Sequence, residues 1–172
     1  MLSSVKIRPS VDADIAAIAA IYAYYVENST ATFELVPPTL AELSRRRATI
    51  LQHGFPYVVA VSVDQQILGY AYAGPHRLRP AYRFTVEDSI YIAHGSTGQG
   101  IGAMLLARLI EESIAAGKRE MIAVISGSDN LASIRLHERC GFTQAGLLKN
   151  VGYKFETWID TIFMQRSLAS II

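Results

Sequence analysis

The stretch Thr97-Gly98-Gln99-Gly100-Ile101-Gly102-Ala103 carries the densest chemical signal in the chain. It lies between a predicted strand and a long predicted helix. A helix N-terminus presents free backbone N–H groups and the positive end of the helix dipole. Glycines there let a phosphate approach that backbone closely. The stretch therefore predicts phosphate or pyrophosphate binding, against the plainer reading of glycines that only shape a turn. A Walker A loop needs Gly, four residues, then Gly-Lys-Ser/Thr. Gly95 and Gly100 have that spacing, but Ile101 stands in the lysine position. A dinucleotide fingerprint aligns loosely on Gly98, Gly100 and Ala103, yet its first glycine should follow the strand directly. Here Ala93 to Gly98 leaves a gap, and the next acidic candidate, Glu120, precedes a strand instead of ending one.

Other reactive residue types are sparse. Cys140 is the only cysteine. It excludes an internal disulfide framework and any Cys-rich metal site, and it reads as a small buried apolar residue. His53 and His94 lack convergent partners, so no metal is expected. Arg45, Arg46 and Arg47 read as a solvated helix face. The aromatic residues do not interleave with basic ones in a nucleic-acid pattern.

The elements that must position this chemistry follow from composition and periodicity. The 172 residues are 51% hydrophobic and 18% charged, with a net charge of +1. One domain with a sizeable core is expected, and a strongly basic nucleic-acid surface over the whole chain is excluded. No secretory signal opens the chain. Its longest uncharged early run, Ile15–Val26, falls short of the ~18–20 residues of a membrane span. A soluble cytoplasmic protein is the expectation. Strands are predicted at Val5–Arg8, Tyr57–Val63, Ile67–Ala73, Ser89–Ala93, Met121–Ser126, Thr143–Val151 and Thr157–Gln165. Helices are predicted from about Ile15 to Tyr25, over Thr39–Gln52, from the glycine turn to Ala116, and from Asp129 or Asn130 to Arg139. Gly74–Phe84, with two prolines, three arginines and two aromatics, reads as a structured polar loop. Hairpins mixed with crossover helices favour an α/β or α+β fold around a mixed sheet.

Two regions resemble a known family. Gly100-Ile101-Gly102 fits the core of the Gln/Arg-x-x-Gly-x-Gly/Ala pyrophosphate loop of the GNAT acetyltransferases, with Thr97 where Gln or Arg is usual. Asn130-Leu-Ala-Ser-Ile-Arg-Leu-His-Glu-Arg-Cys-Gly-Phe142 resembles the helix that closes the family's cofactor site. The phosphinothricin and methionine sulfoximine N-acetyltransferase branch is similar in further stretches: Ser29–Glu34, Tyr82–Ile92, Gly152–Phe155, and Trp158 with Asp160. The resemblance spans nearly the whole chain.

It implies a single GNAT domain over residues 1–172: a mixed, mostly antiparallel, twisted sheet flanked by helices on both faces. It implies acetyl-CoA as co-substrate and no metal. Cofactor contacts would fall on Ile90, Tyr91 and Ile92, on Gly98, Gln99, Gly100, Ile101, Gly102 and Ala103, and on Asn130 and Ser133. Acetyl transfer to an amine needs the neutral amine, so a carboxylate must take a proton from the ammonium. Glu87 matches the family's proposed base; the plainer reading is a strand-edge Glu paired to Arg83. Backbone N–H groups of Ser89–Ile92 would serve the oxyanion. His137 falls where the family has a tyrosine general acid, and general acid, substrate contact and structural histidine all stay open for it.

The branch implies a small glutamate-like acceptor, which carries an α-carboxylate and a tetrahedral polar head. Arginine forks bind such groups bidentately. Arg77 and Arg83 match the branch; Phe33, Glu34 and Thr85 would complete the substrate site, with Tyr82 and Phe84 as packing residues. Direct transfer without a covalent enzyme intermediate is expected. A protein or peptide N-acetyltransferase and a non-catalytic acyl-CoA sensor are the competing readings. Edge strands and an apolar C-terminal segment suggest a homodimer, with neither nucleic acid nor membrane as partner.

Overall fold

The computed structural model describes residues 5–169. Met1–Ser4 and the last three residues of the apolar C-terminal segment lie outside them. The element order is the expected one: β1 (Lys6–Pro9), α1 (Ile15–Asn28), α2 (Leu40–Gln52), β2 (Tyr57–Val61), β3 (Ile67–Pro75), β4 (Thr85–Ile92), α3 (Ile101–Ala115), β5 (Glu120–Ser126), α4 (Leu131–Arg139), β6 (Thr143–Lys154) and β7 (Thr157–Ser167). The strands form one sheet in the order β1-β2-β3-β4-β5-β7-β6. Only the β4–β5 pair is parallel. The expected mixed, mostly antiparallel sheet is therefore present, with helices on both faces.

The two faces bury different side chains, as the two-residue period of a strand requires. Val58, Ala60, Ala71, Ala73, Val86, Met121 and Ala123 pack with Ile101, Leu105, Leu106 and Leu109 of α3. Tyr57, Val59, Val61 and Tyr70 pack with Ile18, Ile21, Tyr22 and Val26 of α1 and Leu43 of α2. Every residue of β2 is buried because helices cover it on both sides. Thr39 caps α2 by accepting from the Glu42 backbone N–H at 3.2 Å, which satisfies one of the donors a helix start leaves free. Gly117, at φ +76°, closes α3 as expected, and the Lys118 N–H returns to Ser113 O at 3.0 Å.

Several strand boundaries and one surface differ from the sequence reading. β4 begins at Thr85, not Ser89, and β6 runs on to Lys154. Thr85-Val86-Glu87-Asp88 holds one strongly apolar residue, so its strand character comes from ladders to β3 and β5 on either side. The arginine run is not a solvated face. Arg47 is 5% exposed, and its guanidinium donates to Ser10 Oγ (2.7 Å), Ser10 O (2.6 Å) and Asp12 Oδ1 (2.6 Å). Arg46 bridges Glu42 (2.8 Å) and Glu34 (2.5 Å). Only Arg45 and Arg46 face outward from α2. Beside this anchor, Arg8 holds Asp14 through two 2.8 Å bonds, tying β1 to the start of α1 and holding the Asp14 carboxyl below the usual range. Among the described residues no helix is long and apolar enough to cross a membrane.

Replacing Arg47 by Met keeps the buried stem and leaves the Ser10 carbonyl without its donor. The expected cost is about 3 kcal/mol, from the loss of charge-assisted bonds in a buried setting. A lower urea midpoint at unchanged m-value would show it.

Candidate active site

The parallel pair β4–β5 comes apart halfway along its length. Pairing runs from Thr85↔Glu120 to Asp88↔Ala123 and stops there. β4 continues to Ile92 along β3, and β5 continues to Ser126 along β7. Between the diverging strands lies a cavity of about 530 Å³. The β4 residues Ser89, Ile90, Tyr91 and Ile92 line it from one side, and Val124, Ile125 and Ser126 of β5 from the other. Past Asp88 the β5-facing backbone of β4 has no strand partner. Such a row of amide groups seeks an extended, amide-bearing ligand.

The glycine turn closes the top of this cavity. Gly98, Gly100, Ile101, Gly102 and Ala103 line it. Gly98 and Gly100 have φ of +76° and +78°, so a side chain at either would be strained. Gly102 has a different reason: a Cβ there would lie 3.1 Å from Leu136 Cδ2. Its absence lets α3 approach α4. Gln99 departs from expectation; it is exposed, does not line the cavity, and leans back on Gly95 O at 3.4 Å. The α4 side supplies Asn130 and Ser133. Asn130 Oδ1 also accepts from the Ser133 N–H at 3.3 Å, so it caps α4 at the cavity rim.

His137 and Asp88 pin α4 to the last paired residue of β4. His137 is 3% exposed. Its Nδ1 lies 2.7 Å from Ser133 O and its Nε2 lies 2.9 Å from Asp88 Oδ2. A carbonyl only accepts, so Nδ1 carries a proton, and a second proton is shared between Nε2 and the carboxylate. Burial disfavours the charged ring. The Asp88 hydrogen bond and charge, with the Ser133 carbonyl, outweigh it and hold the His137 pKa above the ordinary imidazole value. Asp88 is among the residues that line the cavity, and its other oxygen, Oδ1, is buried and has no partner among the described residues.

The residues expected to hold the acceptor do not line this cavity. Glu87 points to the opposite face of β4 from Asp88, with Ser89 and Tyr91. It lies within the strand, opposite Gly74, and not before it. Its partner is His76, whose Nδ1 is 2.7 Å from Glu87 Oε1. Arg83 is engaged elsewhere, over the Phe84 ring at 4.4 Å and with Pro80 O at 3.3 Å. Arg77 is exposed and Thr85 half-buried. Sequence reasoning missed His76. The only available signal was its place after Pro75, where an antiparallel partner strand brings it beside Glu87.

The loop that carries Phe33 and Glu34 is tied down from three directions. Tyr22 of α1 and Thr32 share a 2.8 Å hydroxyl bond. Lys154 of β6, 3% exposed, donates to Ser29 O (2.7 Å) and Thr32 O (2.8 Å), and burial lowers its pKa. Arg46 of α2 holds Glu34. The Phe33 ring occupies the space above Gly152, where any Cβ would collide with it. Gly152 and Lys154, noted in the sequence only as part of a resemblance, thus position the loop.

Two outcomes follow from these contacts. Because the folded pKa of His137 is raised, its pair with Asp88 stabilises the fold fully below the unfolded value of about 6.5 and loses that effect as pH rises through the raised value. Asp88→Asn is expected to cost about 3 kcal/mol at pH 6. The deficit should shrink at alkaline pH, as thermal melts at a series of pH values would record. Gly152→Ala should displace Phe33 and raise the acceptor KM while the acetyl-CoA KM stays within twofold, which steady-state kinetics on both substrates would separate.

Comparisons with known proteins agree with this geometry. The family model for the GNAT acetyltransferase domain matches residues 7–163. The chain is 52% identical over 157 residues to a phosphinothricin N-acetyltransferase from Alcaligenes faecalis, covering 91% of this chain and 79% of that one. It is 41% identical to an L-methionine sulfoximine/L-methionine sulfone acetyltransferase from Pseudomonas aeruginosa, covering 96% and 95%. The crystal structure of a GNAT superfamily phosphinothricin acetyltransferase from Sinorhizobium meliloti in complex with acetyl-CoA superposes with a TM-score of 0.93 at 47% identity, covering 96% of this chain and 89% of that one. A parted β4–β5 pair with a glycine turn at its mouth, matched over nine-tenths of the chain, places the protein in the GNAT acetyltransferase family.

Proposed function

We propose that this protein is an acetyl-CoA-dependent amino-acid N-acetyltransferase. Its acceptor is the α-amino group of a small glutamate-like amino acid of the phosphinothricin, methionine sulfoximine or methionine sulfone type. Transfer is direct, within a ternary complex, by a single domain spanning residues 1–172. The observation that carries the reading is the cavity between the parted strands. It offers unpaired backbone groups and a glycine-lined helix start to one extended ligand.

These features fit acetyl-CoA, which supplies an activated acetyl thioester when bound. The N-terminus of α3, with Gly98, Gly100 and Gly102, would hold the pyrophosphate through backbone N–H groups. Ile90, Tyr91 and Ile92 would pair with the pantetheine amides in the manner of an added strand. Asn130 and Ser133 border the same arm. Gln99 contributes through its backbone, since its side chain turns away.

Glu87 acts as the base that takes the proton from the acceptor ammonium. His137 has no free nitrogen, because both are engaged by Ser133 O and Asp88. It is a positioning residue here, holding Ser133 and Asp88 at the cavity wall. Cys140 does not line the cavity, and burial pushes its thiol pKa up, which supports direct transfer. Arg77 and Arg83 bind the anionic groups of the acceptor, and Arg83 must leave its Phe84 contact to do so. Phe33, Glu34 and Thr85 complete the acceptor site. Two copies pair through the β6–β7 hairpin, where Leu148, Val151, Tyr153 and Trp158 are about half exposed. The protein works in the cytoplasm without nucleic acid or membrane as partner.

A thiol-release assay across phosphinothricin, methionine sulfoximine, methionine sulfone, free amino acids and short peptides tests the acceptor. Turnover should concentrate on the glutamate-like compounds, and activity confined to peptides would overturn the reading. Glu87→Gln should lower kcat by about 100-fold or more, the scale of a lost general base. A wild-type rate at every pH would remove Glu87 from that role.

A further inference from the structure

We propose that His76 forms a proton relay with Glu87, taking from the carboxyl group the proton that the acceptor ammonium delivers and passing it to water. The proposal rests on the reading of Glu87 as the base. Its ground is the geometry of the β3–β4 ladder. Gly74 stands directly opposite Glu87, and nothing lies within 4 Å of where its Cβ would be. That open space lets the next residue on the same face lean over the carboxylate. This residue is His76, whose backbone N–H bonds Thr85 O at 3.3 Å just past the end of β3. Diagonal neighbours across an antiparallel pair are within reach of long and aromatic side chains. The Tyr82 ring meets the imidazole edge-on at 5.6 Å and fixes its plane.

The two ends of the imidazole have different surroundings. Nδ1 is 2.7 Å from Glu87 Oε1. Nε2 has no protein partner among the described residues. The His76 side chain keeps 16% of its exposure and that of Glu87 keeps 32%, so the pair connects the acceptor side to water. His76 is also the only side chain hydrogen-bonded to Glu87 among the described residues. Of the charged neighbours on the connecting loop, Arg83 is engaged with Pro80 O and the Phe84 ring. The phenol of Tyr72, on β3, is the further titratable group that senses Glu87.

The proton balance requires an outlet. An ammonium acceptor loses two protons on becoming an amide nitrogen with one hydrogen. One ends on the sulfur of the departing coenzyme A, and the other leaves to solvent. The outgoing proton moves from the ammonium nitrogen to the Glu87 carboxylate, which accepts from His76 Nδ1–H while it is ionised; exchange with water at the open Nε2 end shifts the imidazole to its Nε2–H tautomer, and Oε1 then passes its proton to the Nδ1 lone pair. The imidazolium then releases its Nε2 proton to water. The Glu87 carboxylate is regenerated, and no redox change or further reactant is involved.

His76→Gln keeps an N–H donor facing Glu87 but cannot take up a proton, and His76→Ala leaves room for a free imidazole. Each is measured with the best acceptor of the panel in dilute buffer, beside Glu87→Gln. Both His76 variants should lose about tenfold in kcat with an unchanged acetyl-CoA KM and an unchanged melting temperature. Added imidazole should restore His76→Ala severalfold and leave the wild type unaffected. A wild-type kcat for His76→Gln, or a His76→Ala loss that imidazole does not repair, overturns the relay. If Glu87→Gln itself keeps the full rate, the base reading falls and takes the relay with it; a defective Glu87→Gln beside a fully active His76→Gln rejects the relay alone.

Discussion

The parting of β4 from β5 is the constraint on which the rest of the molecule depends. A parallel pair cannot be joined by a hairpin, so α3 must carry the chain back to the start of the next strand. The N-terminus of α3 therefore lies beyond the C-terminal end of β4, at the mouth of the gap. The open backbone edge and the glycine-lined helix start are two consequences of one connection. Asp88 marks the last rung of the ladder, and its bond to His137 fixes α4 against that rung. The three walls of the cavity are held at one point.

The opposite side of β4, where Glu87 points, is assembled differently, from pieces distant in the chain. The loop at residues 29–34 has little packing of its own. It is held by Tyr22 from α1, Arg46 from α2 and Lys154 from the far hairpin. Burying the Lys154 ammonium is costly unless its donors are met. Two backbone carbonyls of the loop take two of its three N–H donors, so the tether also sets where the loop must lie. Below it, Tyr57, Tyr70, Tyr72 and Tyr91 stack across the sheet at centroid separations of 5.0–6.5 Å. A rigid aromatic floor and an externally tethered loop together leave this face little freedom to collapse.

Much of this architecture was legible in the sequence. The element order came through because long apolar-periodic helices and β-branched strands declare themselves locally. The glycine turn was legible because its residue types are tied to backbone geometry, as Gly98 and Gly100 show. The start of β4 was not legible, since Thr85-Val86-Glu87-Asp88 carries no alternation strong enough to mark a strand. Arg47 was misread for a related reason. A run of arginines looks solvated until Ser10 and Asp12, from a segment far away in sequence, fold over one of them. Likewise Glu87 pairs with His76, not Arg83, because strand register and not sequence distance decides which side chain reaches it.

By itself the sequence determined the family, the glycine turn and the identities of most chemical groups, because those depend on residue types within short segments. The tertiary structure alone decided the relationships. It put Asp88 and Glu87, adjacent in the chain, on opposite faces of one strand, the first against His137 at the cavity wall and the second against His76. The physical reason is the pleat. Successive side chains of a strand point to opposite sides, and what waits on each side is set by helices and strands that no local pattern encodes.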